Sequence, residues 1–106
     1  FAKHEACFQY FAARWYRAAA NQGHADAQYN LGLMTLRGQG GLKMDRSETF
    51  VWWGRAVMQN HQQAVRQINR LAGLLTAEEI RVARQTIHAW GEGQLVPQMY
   101  VVREGD

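Results

Sequence analysis

Cysteine, metal-ligand pairs and long apolar runs are all scarce in this sequence, and each scarcity argues against a class of protein. The single cysteine, Cys7, allows no internal disulfide, and we expect it to be a small buried apolar residue. Neither a His-x-x-x-His nor a Cys-x-x-Cys pattern occurs, so the sequence predicts no metal site and no cofactor. No apolar run approaches the roughly 18 residues that cross a bilayer, and we expect no membrane span.

The residues that usually carry catalysis are also few. The stretch 38–41 is glycine-rich, but no strand is predicted before it and no Gly-Lys-Ser/Thr follows, which favours a turn between helices over a phosphate-binding loop. Glu78 and Glu79 fall in the first turn of a predicted helix, where carboxylates stabilise the N-terminus. No pair of carboxylates in an apolar pocket can be inferred, so we predict no catalytic residues and no enzyme activity.

The positive charge is modest and concentrated in the middle of the chain. The formal net charge is +3, and residues 14–70 carry eight basic side chains against three acidic ones. This pattern is typical of solvated helix faces, and attraction of an acidic partner is the alternative. Because acidic residues are interspersed among the basic ones, we expect no nucleic-acid binding.

The most informative feature that is present is an internal repeat with an offset of 37 residues. Aromatic, small and polar side chains recur in order: Trp15-Tyr16 as Trp52-Trp53, Ala19 as Ala56, Gln22 as Gln59, His24 as His61 and Ala27 as Ala64. A period of this length is typical of helix-pair solenoids, in which each unit buries its apolar face against the next. The two repeated histidines are then residues at helix starts rather than metal ligands.

Two helices are predicted in the first third of the chain. The first has an apolar stripe that consists of Phe8, Ala12, Trp15 and Ala19. The second runs from about residue 25 to residue 36. Trp15 and its counterpart Trp52 are expected to be buried as wedges between neighbouring helix pairs. Tyr16 and Trp53 are expected to be partly exposed.

Three further helices are predicted after the glycine-rich stretch. Asp45 or Ser47 begins the third helix, whose inward residues are expected to be Thr49, Trp52 and Ala56. A turn is expected at Asn60, before the fourth helix. Thr76 and Glu79 have the spacing of a capping box and open the fifth helix.

These residues resemble the Sel1-like repeat family of helix-turn-helix repeats, which is related to the tetratricopeptide class. The resemblance is carried by residues 15–34, by Gly38-x-Gly40, and then by Lys43, Asp45 and Trp52-Trp53. It implies an all-α fold, a short right-handed α-α solenoid of about five helices with a C-terminal capping helix and an extended tail. Ile68-Asn69 stands where the family has a Leu-Gly pair, a departure that suits a terminal helix.

We expect one repeat domain over residues 1–92, followed by an apolar tail over residues 93–106. The domain is predicted to consist of a half repeat 1–23, a full repeat 24–60, a half repeat 61–75 and a capping helix 76–92. The tail should fold back in extended form as a flap, with a partner-docking or weakly dimerising segment as the alternative. Because the first residue is Phe1 rather than methionine, we expect a processed protein or part of a longer one.

The resemblance also implies a function, a protein-protein interaction module that acts as a scaffold or adaptor, most often in bacteria. In such stacks the first helix of each pair lines the concave side, so partner-binding residues are predicted at Asp26, Asn30, Leu33, Arg37, Gln63, Gln67 and Arg70. Their polar and basic character suits a partner surface with carboxylates or carbonyls. The alternative is an immunity protein that neutralises a secreted toxin by direct binding. The compartment stays open between the periplasm or envelope and the cytoplasm.

Overall fold

The computed structural model describes residues 2–90, and every regular element among them is a helix. The helices are α1 (Ala2–Asn21), α2 (Ala25–Arg37), α3 (Arg46–Val57), α4 (Gln62–Ala72) and α5 (Ala77–Trp90). The predicted all-α fold is confirmed. The predictions for the tail, residues 93–106, lie outside the described residues.

The same kind of turn joins α1 to α2 and α3 to α4. Gly23 has a φ of 95° and Asn60 a φ of 63°, so both adopt the left-handed conformation. Asparagine is one of the few other residues that adopts it readily, which is why it can replace glycine in this slot. The backbone N–H of His24 closes the first turn on the Ala19 carbonyl at 3.2 Å, and the corresponding bond closes the second at 3.1 Å. The predicted turn at Asn60 is confirmed.

The glycine-rich connection between α2 and α3 packs closely against α1. Gly40 has a φ of 66°, and a Cβ atom there would lie 2.5 Å from the carbonyl oxygen of Gln9 and 2.9 Å from the Cβ of Ala13. Only glycine allows this approach. Asp45 then begins α3, because its side chain accepts a hydrogen bond from the backbone N–H of Glu48 at 3.1 Å.

Two apolar clusters form the core, and α3 contributes to both. In the smaller cluster Trp52 packs with Ala20, Ala27 and Leu31 of α1 and α2. The larger cluster joins α3, α4 and α5, and its buried members are Phe50, Trp53, Ala56, Val57, Met58, Ala64, Ile68, Leu71, Ala83 and Ile87. The residues of α3 predicted to face inward, Thr49, Trp52 and Ala56, are all buried.

Helix α1 is exposed where the sequence predicted burial. Trp15 is 69% exposed and Phe8 is 74% exposed, and Cys7 is exposed as well. The predictions that Trp15 is a buried wedge and that Cys7 is a buried apolar residue are therefore wrong. The counterpart Trp52 is buried by the helix pair that precedes it, and no described helix occupies the corresponding position beside α1.

The prediction that Trp53 is partly exposed is also wrong. Its side chain is buried, since α2 covers the indole ring. The indole N–H donates to the Tyr29 carbonyl at 3.0 Å, and a Cβ atom at Gly32 would lie 2.6 Å from the ring. Tyr16, by contrast, is half-buried, which agrees with the prediction.

Helix α5 begins with the predicted capping box. The hydroxyl of Thr76 accepts from the backbone N–H of Glu79 at 3.1 Å, and the Glu79 carboxylate accepts from the backbone N–H of Thr76 at 2.9 Å. Further along, Ile87 packs into the space beside Gly54, which joins α5 to α3. The domain and repeat boundaries, including the capping helix 76–92, stay predictions.

Candidate functional site

The residues predicted to bind a partner lie on α2 and α4. Four are exposed, namely Asp26, Arg37, Gln63 and Arg70. Asn30 and Gln67 are half-buried. Leu33 is also half-buried, but it packs against the larger core cluster and therefore has a structural role as well. We term these seven residues the α2–α4 face.

His61 connects the two helices of this face. Its Nε2 lies 2.8 Å from an oxygen of Asp26, and its Nδ1 accepts a hydrogen bond from the backbone N–H of Ala64 at 3.2 Å. A neutral imidazole with its proton on Nε2 satisfies both contacts. The side chain of His61 is only 10% exposed, whereas that of Asp26 is 92% exposed. The first turn of α2 and the N-cap of α4 are therefore in contact.

Tyr29 and Gln28 of α2 complete this junction. The Tyr29 ring stacks on His61 at 4.9 Å and on Trp53 at 5.6 Å between ring centres. Gln28 is fully buried, donates to the Ala20 carbonyl at 3.1 Å and accepts from the side-chain amide of Gln59 at 3.1 Å. One edge of α2 therefore docks through polar and aromatic contacts on the turn between α3 and α4.

A groove of about 630 Å³ lies between α1 and α2. We term it the α1–α2 groove, and its lining includes Trp15, Tyr16, Ala19, Gln22, His24 and Asp26. His24 is exposed and, unlike His61, its side chain makes no cap bond. The groove therefore combines an exposed aromatic wall with polar groups that can bond to a partner.

A second groove, of about 590 Å³, lies between α3 and α5. Its apolar residues include Val51, Trp52, Val82 and Ala83, and its acidic residues are Asp45, Glu48, Glu78 and Glu79. The guanidinium of Arg55 lies 4.7 Å from the centre of the Trp52 ring. Partial burial lowers the pKa of Arg55 from its ordinary value, but the group stays charged at neutral pH.

The carboxylates of this second groove are engaged in helix caps and ion pairs. A hydrogen bond from Arg81 lowers the pKa of Glu78, and the backbone N–H of Thr76 lowers that of Glu79. Glu48 lies 3.6 Å from Arg17. A general acid at neutral pH needs a raised pKa, so neither Glu78 nor Glu79 has the property that acid catalysis would require.

Two features that the described part of the chain lacks bear on other classes of protein. Among residues 2–90 no three His, Cys, Asp or Glu side chains are grouped so that they could hold a metal ion. No helix within the same range combines the length and the apolar character needed to span a bilayer.

Helix pairs that stack through Trp52, Trp53 and His61 define this chain as a helical-repeat protein. The Sel1 repeat matches residues 5–24 and 25–61, and the chain belongs to the Sel1 repeat family. This family is a non-enzymatic helical scaffold whose repeats are generally protein-interaction modules. Comparisons with curated proteins and with solved structures gave no match.

Sequence reasoning missed the contact between Asp26 and His61. The 37-residue offset places His61 at the start of the neighbouring unit, one repeat after His24. The repeat itself was therefore the signal that could have found this contact. No sequence signal predicted the groove between α3 and α5. The packing of α5 on α3 depends on Gly54 and Ile87, and neither residue recurs at the offset of 37 residues.

Proposed function

We propose that the chain is a protein-binding module whose partner docks on the α2–α4 face. The observation that carries the proposal is the hydrogen bond between Asp26 and His61, 2.8 Å long, because it joins the first turn of α2 to the N-cap of α4. Residues of α2 and α4 can then present one surface instead of two independent ones. A rigid surface loses less conformational entropy when a partner binds.

The charge of this face indicates the kind of partner. Arg37 and Arg70 are both exposed and lie in the last turns of α2 and α4. Asp26 is the one acid of the face, and one of its oxygens is already used by His61. Asn30, Gln63 and Gln67 add side-chain amides, which can donate as well as accept hydrogen bonds. Such a surface suits a partner that presents carboxylates and backbone carbonyls.

Charge reversal tests this proposal. The double variant Arg37→Glu/Arg70→Glu should reduce the amount of the specific partner captured from the native cell extract at least tenfold, because two favourable charge contacts become repulsive. The matched control, Lys43→Glu/Arg46→Glu, makes the same change in net charge at exposed positions outside the face. Retention of the partner by the first variant, or equal loss from both, would refute the α2–α4 face.

The same capture experiment distinguishes an adaptor from the alternative, an immunity protein. If the captured partner is a toxic enzyme, its activity should fall to background at a one-to-one ratio with this chain. The Arg37→Glu/Arg70→Glu variant should then fail to inhibit. A partner that keeps its activity in the complex supports the adaptor role.

A further inference from the structure

The groove between α3 and α5 continues into a smaller groove at the start of both helices. The smaller groove, of about 400 Å³, is lined by residues of the two connections that lead into α3 and α5. Asp45, Ser47 and Glu79 line both grooves, so the grooves meet at these residues. Because α3 and α5 already pack on each other, this surface lies between two helices of the stack and not beyond the first or the last one.

Exposed apolar side chains lie in both grooves. Met44 is 63% exposed and Leu74 is 57% exposed, and both line the smaller groove. Val82, which is 48% exposed, lines the larger one. Among the described residues, the exposed large apolar side chains outside α1 are these three. Clustered exposure of this kind marks an interaction surface.

The place where the grooves meet is acidic. Asp45 and Glu79 are both exposed, and each accepts a hydrogen bond from a backbone N–H, that of Glu48 and that of Thr76 respectively. A backbone N–H carries no formal charge, so neither bond neutralises the carboxylate. The bond from Thr76 lowers the pKa of Glu79 and repulsion from Asp45 acts in the opposite direction, which shows that the two charges are near each other.

The arginines around the grooves leave the charge of this acidic pair in place. Arg55 comes ten residues after Asp45, about 15 Å further along α3. Arg46 is adjacent to Asp45 in the sequence, and adjacent residues of a helix do not face each other. Two further arginines have carboxylate partners of their own: Arg17 lies 3.6 Å from Glu48, and Arg81 pairs with Glu78.

The shape of the larger groove suits an extended chain better than a helix. The groove follows α3 from Asp45 to Arg55, a length of about 15 Å. Spread over that length, its volume of about 590 Å³ corresponds to a cross-section of roughly 40 Å². An α-helix with its side chains is about 10–12 Å across and needs about twice that area.

We propose that this surface binds an extended segment of a partner protein in which a basic residue stands between two apolar residues. The basic side chain pairs with Asp45 and Glu79, and the apolar side chains enter the two grooves. Met44 directly precedes Asp45, whereas Val82 lies about one turn beyond Glu79, so the apolar sites flank the acidic pair. Alternate side chains of an extended segment point to the same side about 6.5 Å apart, which gives the pattern apolar-x-basic-x-apolar.

The probe is an acetylated and amidated peptide with the sequence Thr-Leu-Thr-Arg-Thr-Leu-Thr, in which threonine favours the extended form. Added to the full chain labelled with ¹⁵N, it should shift the amide signals of groove residues in α3 and α5, and the shifts should saturate. A peptide with glutamine in place of arginine should bind about fivefold more weakly, as expected for the loss of a partly exposed ion pair. A peptide with serine in place of both leucines should lose at least as much.

A double variant of the chain tests the acidic pair. Asp45→Asn/Glu79→Gln removes both charges and keeps oxygen acceptors at both caps, because asparagine caps a helix about as well as aspartate does. It should weaken binding of the arginine peptide about fivefold and leave binding of the glutamine peptide unchanged. The matched control, Gln62→Lys/Gln85→Lys, changes the net charge equally at exposed positions outside the grooves and should bind both peptides as the wild type does.

Two more variants locate the binding. Val82→Ser removes an exposed apolar side chain of the larger groove and should weaken binding of both peptides to a similar extent. The Arg37→Glu/Arg70→Glu variant should bind both peptides normally, since no residue of the α2–α4 face lines either groove. Failure of the α2–α4 face and failure of this surface are therefore distinguishable.

Four results would overturn the proposal. The first is the absence of saturable shifts at millimolar concentrations of the arginine peptide. The second is an equal effect of Asp45→Asn/Glu79→Gln on both peptides, because the basic residue would then not meet the acidic pair. The third is tighter peptide binding by Val101→Asp/Val102→Asp, which would make the chain's own tail the occupant. The fourth is dimerisation, seen by sedimentation, that Val82→Ser abolishes, because a second copy would then fill the grooves.

Discussion

Trp15 and Trp52 occupy the same slot of the repeat, but their surroundings differ. Trp15 is 69% exposed on α1, whereas Trp52 is 5% exposed and packs with Ala20, Ala27 and Leu31. The difference arises from the neighbouring helices and not from the residue or its local sequence. At the scale of single residues, a repeat slot therefore specifies a direction on the helix, and burial depends on what lies in that direction.

The two tryptophans give a matched pair of substitutions. Trp52→Ala should lower the free energy of unfolding by about 3–5 kcal/mol, since it leaves a large cavity in the smaller core cluster. Trp15→Ala should change it by no more than about 0.5 kcal/mol, since the side chain is mostly in solvent. Urea denaturation followed by circular dichroism measures both. Equal losses would show that Trp15 is buried in solution.

The same contrast explains which residues could be predicted from the sequence. Thr76 and Glu79 were predicted correctly as cap residues, and Asp45 is the correct one of the two residues predicted to begin α3, because a cap depends on side chains three positions apart in one segment. Cys7 and Trp53 were predicted wrongly. Their exposure depends on whether a helix from elsewhere in the chain covers them, and a local pattern contains no information about that.

At the scale of elements, the closest approach of α2 and α3 depends on Gly32. A Cβ atom there would lie 2.6 Å and 2.7 Å from the Cδ1 and Nε1 atoms of Trp53. The indole cannot simply move away, because its N–H is bonded to the Tyr29 carbonyl. The two helices would have to separate, or that hydrogen bond would have to break.

Gly32→Ala should therefore destabilise the chain by about 1–3 kcal/mol, the usual range for added volume in a packed core. Gly73→Ala is the matched control, since Gly73 has an ordinary right-handed conformation with φ −66°. That change should be neutral or stabilise by up to about 1 kcal/mol. The free energies of unfolding in urea test the pair, and equal effects would contradict the close approach of α2 to Trp53.

The capping box of α5 predicts a dependence of stability on pH. The pKa of Glu79 is lowered in the folded chain, chiefly by the hydrogen bond from the Thr76 backbone N–H. The stabilisation is therefore present above the pKa of an unfolded glutamate and is lost as the pH falls through the lower folded value. Glu79→Gln keeps a carbonyl oxygen at this position but removes the titration.

The urea midpoint of Glu79→Gln should lie below that of the wild type at neutral pH, and the two should converge in acid. Denaturation at several values of pH measures the difference. Thr76→Ala serves as a second variant, because it removes the hydroxyl that accepts a hydrogen bond from the backbone N–H of Glu79. It should lower the free energy of unfolding by about 1 kcal/mol. A difference between Glu79→Gln and wild type that stays constant with pH would contradict the capping contribution.

At the scale of the whole molecule, α3 links the two core clusters. Trp52 belongs to the smaller cluster and its neighbour Trp53 to the larger one. The helix packs against α2, α4 and α5, so neither cluster can lose α3 without the other being disturbed. Short repeat stacks gain most of their stability from such interfaces between units.

The described helices should therefore unfold in a single cooperative transition. Tryptophan fluorescence and far-ultraviolet circular dichroism should give the same midpoint in urea, because the buried tryptophans and the helices report on one event. Trp15→Phe is a useful background, since it removes emission from an exposed indole. A fluorescence transition that precedes the loss of helix in this background would show that the clusters unfold separately.

The exposure of Cys7 has a practical consequence. It is the only thiol in the sequence, and it lies on α1 next to the exposed Phe8. A spin label or environment-sensitive dye can therefore be attached at one defined point without any engineered residue. Attached there, the reporter would record changes at the outer surface of α1 when a partner protein is added.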